Sequence, residues 1–383
     1  MDAMEHFDVC IAGAGIIGLS LSLELRRRGR SVMVVERGRA MRESSWAAAG
    51  MLAADDPELP TVLREMAQLS AGMYPEFLNR IQSLSGHSVR FRTVETLLGV
   101  PPRSAPQANC APIMPMPRAA LKYIEPLLAP ADYKWRLLRE ASIDPRDLCA
   151  ALPAAFATAC GDIFGGGMLE MTEWLPSFSP TESAPEGGAA DHIIPTRLGD
   201  RSATTVVDCR GAWADISGEP GSTGIRGRSE ITPRKGQALT IALPSGMPLT
   251  RTIRTGEVYI VPRGDGRALI GATMEDAGFD KSTDDASIAE LIGRADALVP
   301  GIAQCAVLER WAGLRPLSSD GLPVLGAVPG RPGHFIASGH FWDGILLAPA
   351  TALVMAQLVC AEAPSIDLAP FSPARFQSTV GQG

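Results

Sequence analysis

The apolar positions near the start of the chain change period twice within thirty residues. Val9-Cys10-Ile11-Ala12 is an unbroken apolar run, suited to a strand buried in a parallel sheet. Leu19 to Arg28 is helical in composition, and Gly29 is a stop. Ser31-Val32-Met33-Val34-Val35 is a second strand, ended by Glu36. Further on, apolar residues at helical spacing (Leu63, Met66, Leu69, Met73, Phe77, Leu78, Ile81) predict an amphipathic helix over 61–85. Val89 to Val100 alternates as a strand does. Leu121 to Leu128 reads as a short helix. At Ile143 a strand ends and another helix begins, with Asp144 as its cap and Pro145 at its first position, continuing from Leu148 to Ala159.

Thr204 to Cys209 is a strand, and Arg210-Gly211-Ala212-Trp213 turns out of it. From Arg226 the pattern becomes short strands with tight turns: Gln237 to Ala242, Val258 to Pro262, and Ala268 to Ala272, the last two joined by Gly264-Asp265-Gly266. These predict an antiparallel sheet in a second domain. Asp285 to Val299 is a helix, and Val307 to Gly313 is expected to return to the core. Pro323 to Gly326 and His334 to Gly339 are late strands. His340 to Val359 opens as a turn and becomes the last helix, read as buried because its apolar run is short and holds Pro349. Two stretches rich in Pro and small residues, 101–117 and 176–201, read as a linker and a surface excursion. The tail beyond Ala361 is expected to fray.

Between the first strand and helix lies Gly13-Ala14-Gly15-Ile16-Ile17-Gly18, matching G-x-G-x-x-G. Gly13 permits the tight turn, Gly15 lets backbone approach a pyrophosphate, and Gly18 lets helix pack on strand. The helix N-terminus offers N–H groups to phosphates. Glu36, eighteen positions past Gly18, is placed to accept hydrogen bonds from a ribose diol. An ordinary βαβ unit explains the turn but not the acid. The pattern predicts a dinucleotide site without separating NAD from FAD. Met41 to Leu52 follows, dominated by small residues. It reads either as backbone pressed against a flat ligand or as the start of an alanine-rich helix.

The 383 residues suffice for two domains. A net charge of −7 and the lack of a basic block argue against nucleic acid or an anionic membrane as partner. Seven scattered cysteines without a C-x-x-C, and five histidines without ligand spacing, argue for reduced thiols in the cytoplasm and against a disulfide frame or a metal site. The N-terminus has acids before its apolar run and no basic segment, unlike a signal peptide.

Four stretches together resemble the glycine oxidases of the flavin-dependent D-amino-acid and sarcosine oxidase (DAO) family. They are Gly13–Gly18 with Glu36; Ala47 to Leu52; Tyr259-Ile260-Val261-Pro262-Arg263 with Gly271-Ala272-Thr273-Met274; and Trp311 to Pro316 with Asp320-Gly321. The Gly339 to Thr351 run closes the match. The resemblance implies an α/β plus α+β fold. A Rossmann-like FAD-binding domain of glutathione-reductase type, with p-hydroxybenzoate-hydroxylase-like topology, would comprise 1–90, 137–220 and 306–383. A substrate domain on an antiparallel sheet would comprise 91–136 and 221–305. It also implies non-covalent FAD, often in a homo-oligomer, with O2 as acceptor and a role in thiamine biosynthesis.

Carried over by position, Ile16 and Ile17 lie at the pyrophosphate turn, and Glu36 binds the ribose with Arg37 among the cofactor contacts. Ser44 and Ser45 meet the phosphates; Ala49, Gly50 and Met51 border the isoalloxazine; Leu169 supplies an adenine contact. His340, Phe341, Trp342, Asp343, Gly344, Ile345 and Leu346 wrap the pyrimidine edge. For the substrate, a guanidinium fork is the natural partner of an amino acid's carboxylate, and Arg315 is the candidate; a structural ion pair is the alternative. Tyr259 places its hydroxyl near the same carboxylate, or is a half-buried strand aromatic. Met51 and Met274 line the pocket or pack as core. No general base is nominated.

The chain departs from the family where the latter reads Gly-His-Phe-Arg-Asn-Gly-Ile: here Trp342 replaces the arginine. A planar aromatic cannot replace a guanidinium as a carboxylate partner, but Trp342 can offer an apolar wall. Either Arg315 carries the carboxylate alone, or the pocket accepts a bulkier secondary amine with a glycine-like carboxylate end, or Trp342 points outward and changes little. Electron transfer to an acceptor other than O2, and a flavin-binding role without turnover, remain alternatives.

Overall fold

The computed structural model describes residues 4–101, 115–129, 133–160, 191–196, 199–214 and 230–377. The first βαβ unit folds as its periodicity dictates. Strand β1 (His6–Ala12) runs parallel to β2 (Val32–Val35), with α1 (Ile16–Arg27) between them. Helix α1 buries Leu19, Leu21, Leu23 and Leu25, and the chain leaves it through Gly29 at φ +80°. Next come a single turn, α2 (Ser44–Ala47), and the long amphipathic α3 (Arg64–Ser85). The 41–52 run is therefore mostly extended backbone with one helical turn.

Residues 89–100 form two strands rather than one. Strand β3 (Phe91–Thr93) pairs with β6 (Ser142–Ile143), whereas β4 (Thr96–Val100) joins a different sheet. Thr93 and Thr96 are buried while Val94 is two-thirds exposed, so the alternation breaks where the chain changes sheets. Helix α4 (Arg118–Ile124) lies a few residues earlier than its apolar run suggests. Strand β5 (Lys134–Leu138) follows, and α5 (Pro145–Cys160) starts at Pro145, with the Asp144 carboxylate accepting from the Arg146 N–H at 3.1 Å.

The nucleotide-side sheet is completed by β7 (His192–Ile194) and β8 (Arg201–Asp208), and later by β14 (Val324–Ala327) and β15 (His334–Ser338). Its order is β14-β15-β8-β1-β2. The second half of β8 pairs parallel with β15, while its first half pairs with the short antiparallel β7. Helix α7 (Gly344–Val359) packs on α1 and α3 and is buried nearly throughout, although it is apolar around its circumference.

The second sheet has seven strands in the order β13-β9-β12-β11-β10-β4-β5, built from β9 (Ile231–Ala242), β10 (Thr252–Arg254), β11 (Tyr259–Pro262), β12 (Arg267–Gly271) and β13 (Val307–Ser318). Helix α6 (Asp285–Leu298) covers one face and is capped by the Asp284 carboxylate on the Ser287 N–H. Two features differ from the sequence reading. The β4/β10 pair is parallel, so the sheet is mixed. Strand β13 pairs with β9 along its length, so residues 307–318 belong to this sheet rather than to the nucleotide portion. The tail is also held further than expected: Phe371 is buried and Arg375 pairs with Asp320 at 2.7 Å.

Candidate active site

A cavity of about 1510 Å³ runs from the glycine turn after β1 to the open face of the seven-stranded sheet. That exceeds an ordinary small-ligand pocket, which holds on the order of 300–1,000 Å³. One end is the dinucleotide turn. A Cβ on Gly13, at φ +104°, would fall 2.6 Å from the Cys209 carbonyl oxygen, and one on Gly18 would fall 2.0 Å from that of Gly13. A Cβ on Gly15 would meet only the Ser45 hydroxyl, at 3.4 Å, so this position faces the cavity. Ser45 accepts from the Ile16 N–H at 3.0 Å, at the start of α1 where phosphates would dock. The Glu36 carboxylate accepts from the Ala14 and Gly38 N–H groups at 2.9 and 3.0 Å, which fixes it at the mouth of the turn. Ile17 and Arg37 line the cavity as well. Leu169 lies outside the described residues.

Residues 44–52 cross between the two sheets and are tied at each step. The Ser44 hydroxyl donates to the Leu314 carbonyl, and the Trp311 indole N–H donates to the Ala47 carbonyl at 3.1 Å. Gly313 lies directly beneath Ala47; any Cβ there would be 2.4 Å from the Ala47 methyl. Gly50, at φ +81°, exchanges backbone contacts with Ile143. The buried Arg263 guanidinium donates to the Ala49 and Ile143 carbonyls at 2.9 and 3.0 Å. Burial lowers its pKa, with Asp144 opposing that effect from 3.7 Å. Arg263 closes the Tyr259–Arg263 stretch, but nothing in the sequence marks it as the clamp for this segment. Ala49, Gly50 and Met51 all border the cavity.

The other end of the cavity is a row of cross-strand partners: Arg254 opposite Tyr259, Tyr259 opposite Gly271, Gly271 opposite Ala238, and Ala238 opposite Trp311. Paired residues share a face. The small residues make a flat floor on which two polar side chains lie. Tyr259 folds over Gly271, where a Cβ would be 2.6 Å from its hydroxyl. Arg315 lies flat over Gly236, where a Cβ would be 2.3 Å from Nη1. The fork is braced from one side by the Thr273 carbonyl, which accepts from Nη1 at 3.1 Å. Arg315 also reaches the Tyr259 hydroxyl; burial raises the tyrosine pKa and Arg315 partly offsets it. Structure thus brings Arg315 and Tyr259 together, and adds Gly236 and Gly271 as the residues that give them room.

Residues 339–345 close the site. The Phe341 N–H donates to the Pro316 carbonyl at 2.8 Å, one residue past Arg315, and Phe341 sits at φ +48°. Trp342 stacks on Phe341 with centroids 4.3 Å apart and is 54% exposed at the cavity rim. His340 turns its imidazole inward, with Nε2 3.0 Å from the Thr351 hydroxyl, and burial lowers its pKa to about 3. Only its backbone side can serve the cavity. The Leu346 side chain packs in the core rather than at the site, whereas Gly344 and Ile345, in the first turn of α7, do line it. Met51 is half-buried and packs against the cluster of Ala49, Ala238 and Trp311, and Met274 is 53% exposed at the rim.

One feature had no sequence signal. Arg254, beside Tyr259, pairs with Asp56 and, at 3.2 Å, with the buried Glu140. Burial pushes Glu140 up to about 7, against the pull of Arg254. Asp343 is likewise raised to about 7 by burial and then by Asp56. A carboxyl whose folded pKa lies above its unfolded value stabilises fully below about 4.5 and loses that contribution as pH rises through 7. The Glu140→Gln variant should therefore lose less unfolding free energy than the parent between pH 5 and pH 8. A difference on the order of 1–3 kcal/mol in denaturant melts is expected.

Residues 8–358 match the family model described as DAO, FAD dependent oxidoreductase. The chain belongs to the DAO family. A glycine oxidase of Geobacillus kaustophilus is 31% identical over 414 residues, covering 99% of this chain and all of the relative. Its crystal structure superposes with a TM-score of 0.83 at 30% identity, over 99% of this chain and 100% of that one. The hydrogen cyanide synthase subunit HcnC of Pseudomonas aeruginosa is 30% identical, covering 97% of this chain and 96% of that one. As a DAO-family protein the chain is an FAD-dependent oxidoreductase. The glycine cradle, the cavity volume and the Glu36 position fit that cofactor. Among the described residues no helix is long and apolar enough to cross a membrane.

Proposed function

We propose that this DAO-family oxidoreductase oxidises the C–N bond of glycine or an N-substituted glycine. The observation that carries the reading is the Arg315 fork laid over Gly236 beside Tyr259, at the end of the groove opposite the dinucleotide turn. FAD, held without a covalent link by the glycine turn, Ser45 and Glu36, would supply the hydride acceptor and the route for electrons to O2. Arg315 binds the carboxylate with the donors that Thr273 leaves free, and Tyr259 adds a hydroxyl donor. Together they fix the Cα–H in place, which supplies most of what this chemistry asks of side chains. The N-terminus of α7, with Gly344 and Ile345 on the cavity, would favour negative charge developing on a flavin ring held there. The balance is one amine, O2 and water giving an oxo acid (glyoxylate from the glycine unit), the released amine and H2O2.

The relatives support the class but not the substituent. A glycine oxidase at 31% identity and a hydrogen cyanide synthase subunit at 30% both match nearly the whole chain. The second reading rests on Trp342. Its exposed indole at the rim gives an apolar shelf where the family carries a second guanidinium. A bulkier secondary amine with a glycine-like carboxylate end would pack on it. Comparing kcat/KM for glycine, sarcosine and longer N-alkylglycines tests both readings. The N-alkyl substrates should equal or exceed glycine, and Trp342→Arg should reverse that order by about tenfold. A parent enzyme with a strong preference for free glycine removes the second reading. Dye reduction without H2O2 formation would replace O2 as the acceptor.

A further inference from the structure

We propose that Phe279, Trp213 and Arg37 form a latch across the dinucleotide groove, and that opening this latch is the step by which FAD enters and leaves. The loop from Ala272 to Asp284 springs from the end of β12 and returns at the cap of α6. Its base is welded to the seven-stranded sheet. Lys235 and Glu275 exchange both backbone hydrogen bonds, at 3.0 and 2.9 Å. The Gln237 side chain donates to Glu275 and Asp284 at 2.9 and 2.7 Å and accepts the Asp284 N–H at 2.9 Å. Lys235 Nζ holds Asp280 at 2.8 Å.

The tip is held differently. It crosses to the nucleotide portion and is fastened there by side chains. Phe279 stacks on Trp213, with centroids 5.3 Å apart and planes at 28°. The same indole carries the Arg37 guanidinium 3.8 Å from its centroid. Lys281 reaches Glu43 at 3.0 Å. Among the described residues, no backbone hydrogen bond joins 276–283 to the nucleotide portion. Gly278, at φ +55°, supplies the turn that presents Phe279, which is 45% exposed. A large aromatic half in water, with its contact on another element, contributes little to the core of its own domain.

Arg37, Glu43, Trp213 and Phe279 all border the same cavity as Glu36 and the glycine turn. The tip therefore spans the groove next to the ribose-binding acid. A long dinucleotide cannot be laid into a groove bridged there unless the bridge lifts. Lifting the tip would give up side-chain contacts, Lys235–Asp280 among them, but would leave the backbone pairing of Lys235 with Glu275 in place. Thr273 and Met274, on the same loop, brace Arg315 and line the substrate end, so one segment touches both halves of the site.

The test uses holoenzyme diluted far below its FAD dissociation constant, following the rise in free-flavin fluorescence as FAD leaves. Phe279→Ala should release FAD on the order of tenfold faster than the parent, as expected for one lost aromatic stack with its cation–π partner. Phe279→Tyr should keep the parent rate. Lys281→Ala should give a smaller, salt-sensitive increase, since exposed ion pairs contribute little. The melting temperature of the Phe279→Ala apoprotein should match that of the parent. An unchanged release rate in Phe279→Ala overturns the proposal. So does a fall in apoprotein melting that accompanies faster release, or a Tyr variant that behaves like Ala. The inference rests on FAD binding alone, so its failure leaves the amine-oxidation reading untouched.

Discussion

Arg315→Ala lowers kcat/KM for glycine-type amines by about three orders of magnitude, mostly through KM, while bound flavin and its absorption spectrum stay as in the parent. Stripping one member from a desolvated charge pair typically costs about 2–5 kcal/mol, and a factor of 10³ corresponds to ~4 kcal/mol. The upper half of that range applies for two reasons. Arg315 is positioned by its floor, Gly236, and by Thr273, so little of its binding is lost to ordering the side chain. And the neighbouring guanidinium, Arg254, is already held by Asp56 and Glu140, while Trp342 offers no charge with which to take over the carboxylate. Arg315→Lys should recover only part of the loss, because an ammonium cannot offer the planar fork. Steady-state kinetics with sarcosine, alongside a flavin-to-protein ratio, separates this outcome from simple cofactor loss.

Gly18→Ala yields protein that purifies colourless. The added Cβ would lie 2.0 Å from the Gly13 carbonyl oxygen, which is backbone and cannot swing aside. Either α1 moves away from β1 or the turn opens. Both displace the N–H groups that would meet the pyrophosphate. Overpacking of this kind costs about 1–3 kcal/mol in stability, and the lost phosphate contacts should weaken FAD at least about a hundredfold. Gly15→Ala separates the two effects. Its Cβ meets only the Ser45 hydroxyl at 3.4 Å, so the apoprotein should melt as the parent does while FAD affinity still falls. Thermal melts of the apoproteins with flavin-binding titrations read both.

What could be read from the sequence was local. Strand, glycine turn, helix, strand and acid follow one another within thirty residues, and their periodicities and glycine spacing identify them without any long-range contact. The Asp144-Pro145 helix start and the Gly264–Gly266 hairpin are legible for the same reason. What escaped depends on pairing between distant strands. Gly236 matters because the β9/β13 register lays Arg315 across it, and nothing near Gly236 announces that partner. Arg254 is one arginine among many until β10 sets it beside Tyr259 and folding delivers Asp56 and Glu140 to it. The parallel β4/β10 pair unites residues over 150 positions apart, so an apparent single strand at 89–100 divides between two sheets. The tail carries no local sign of being held, because its anchors, Asp320 for Arg375 and the buried slot for Phe371, lie outside its own sequence.

The oxidoreductase class follows from family membership, and the account adds a claim about which bond is oxidised and what holds it. Anaerobic mixing of the pure yellow protein with sarcosine or glycine, read at the flavin band, bears on this most directly. The account predicts full bleaching within the steady-state turnover time in the parent, and bleaching slowed about a thousandfold at equal subsaturating amine in Arg315→Ala. A flavin that stays oxidised with every glycine-type amine, or one that bleaches equally fast in both proteins, would contradict it.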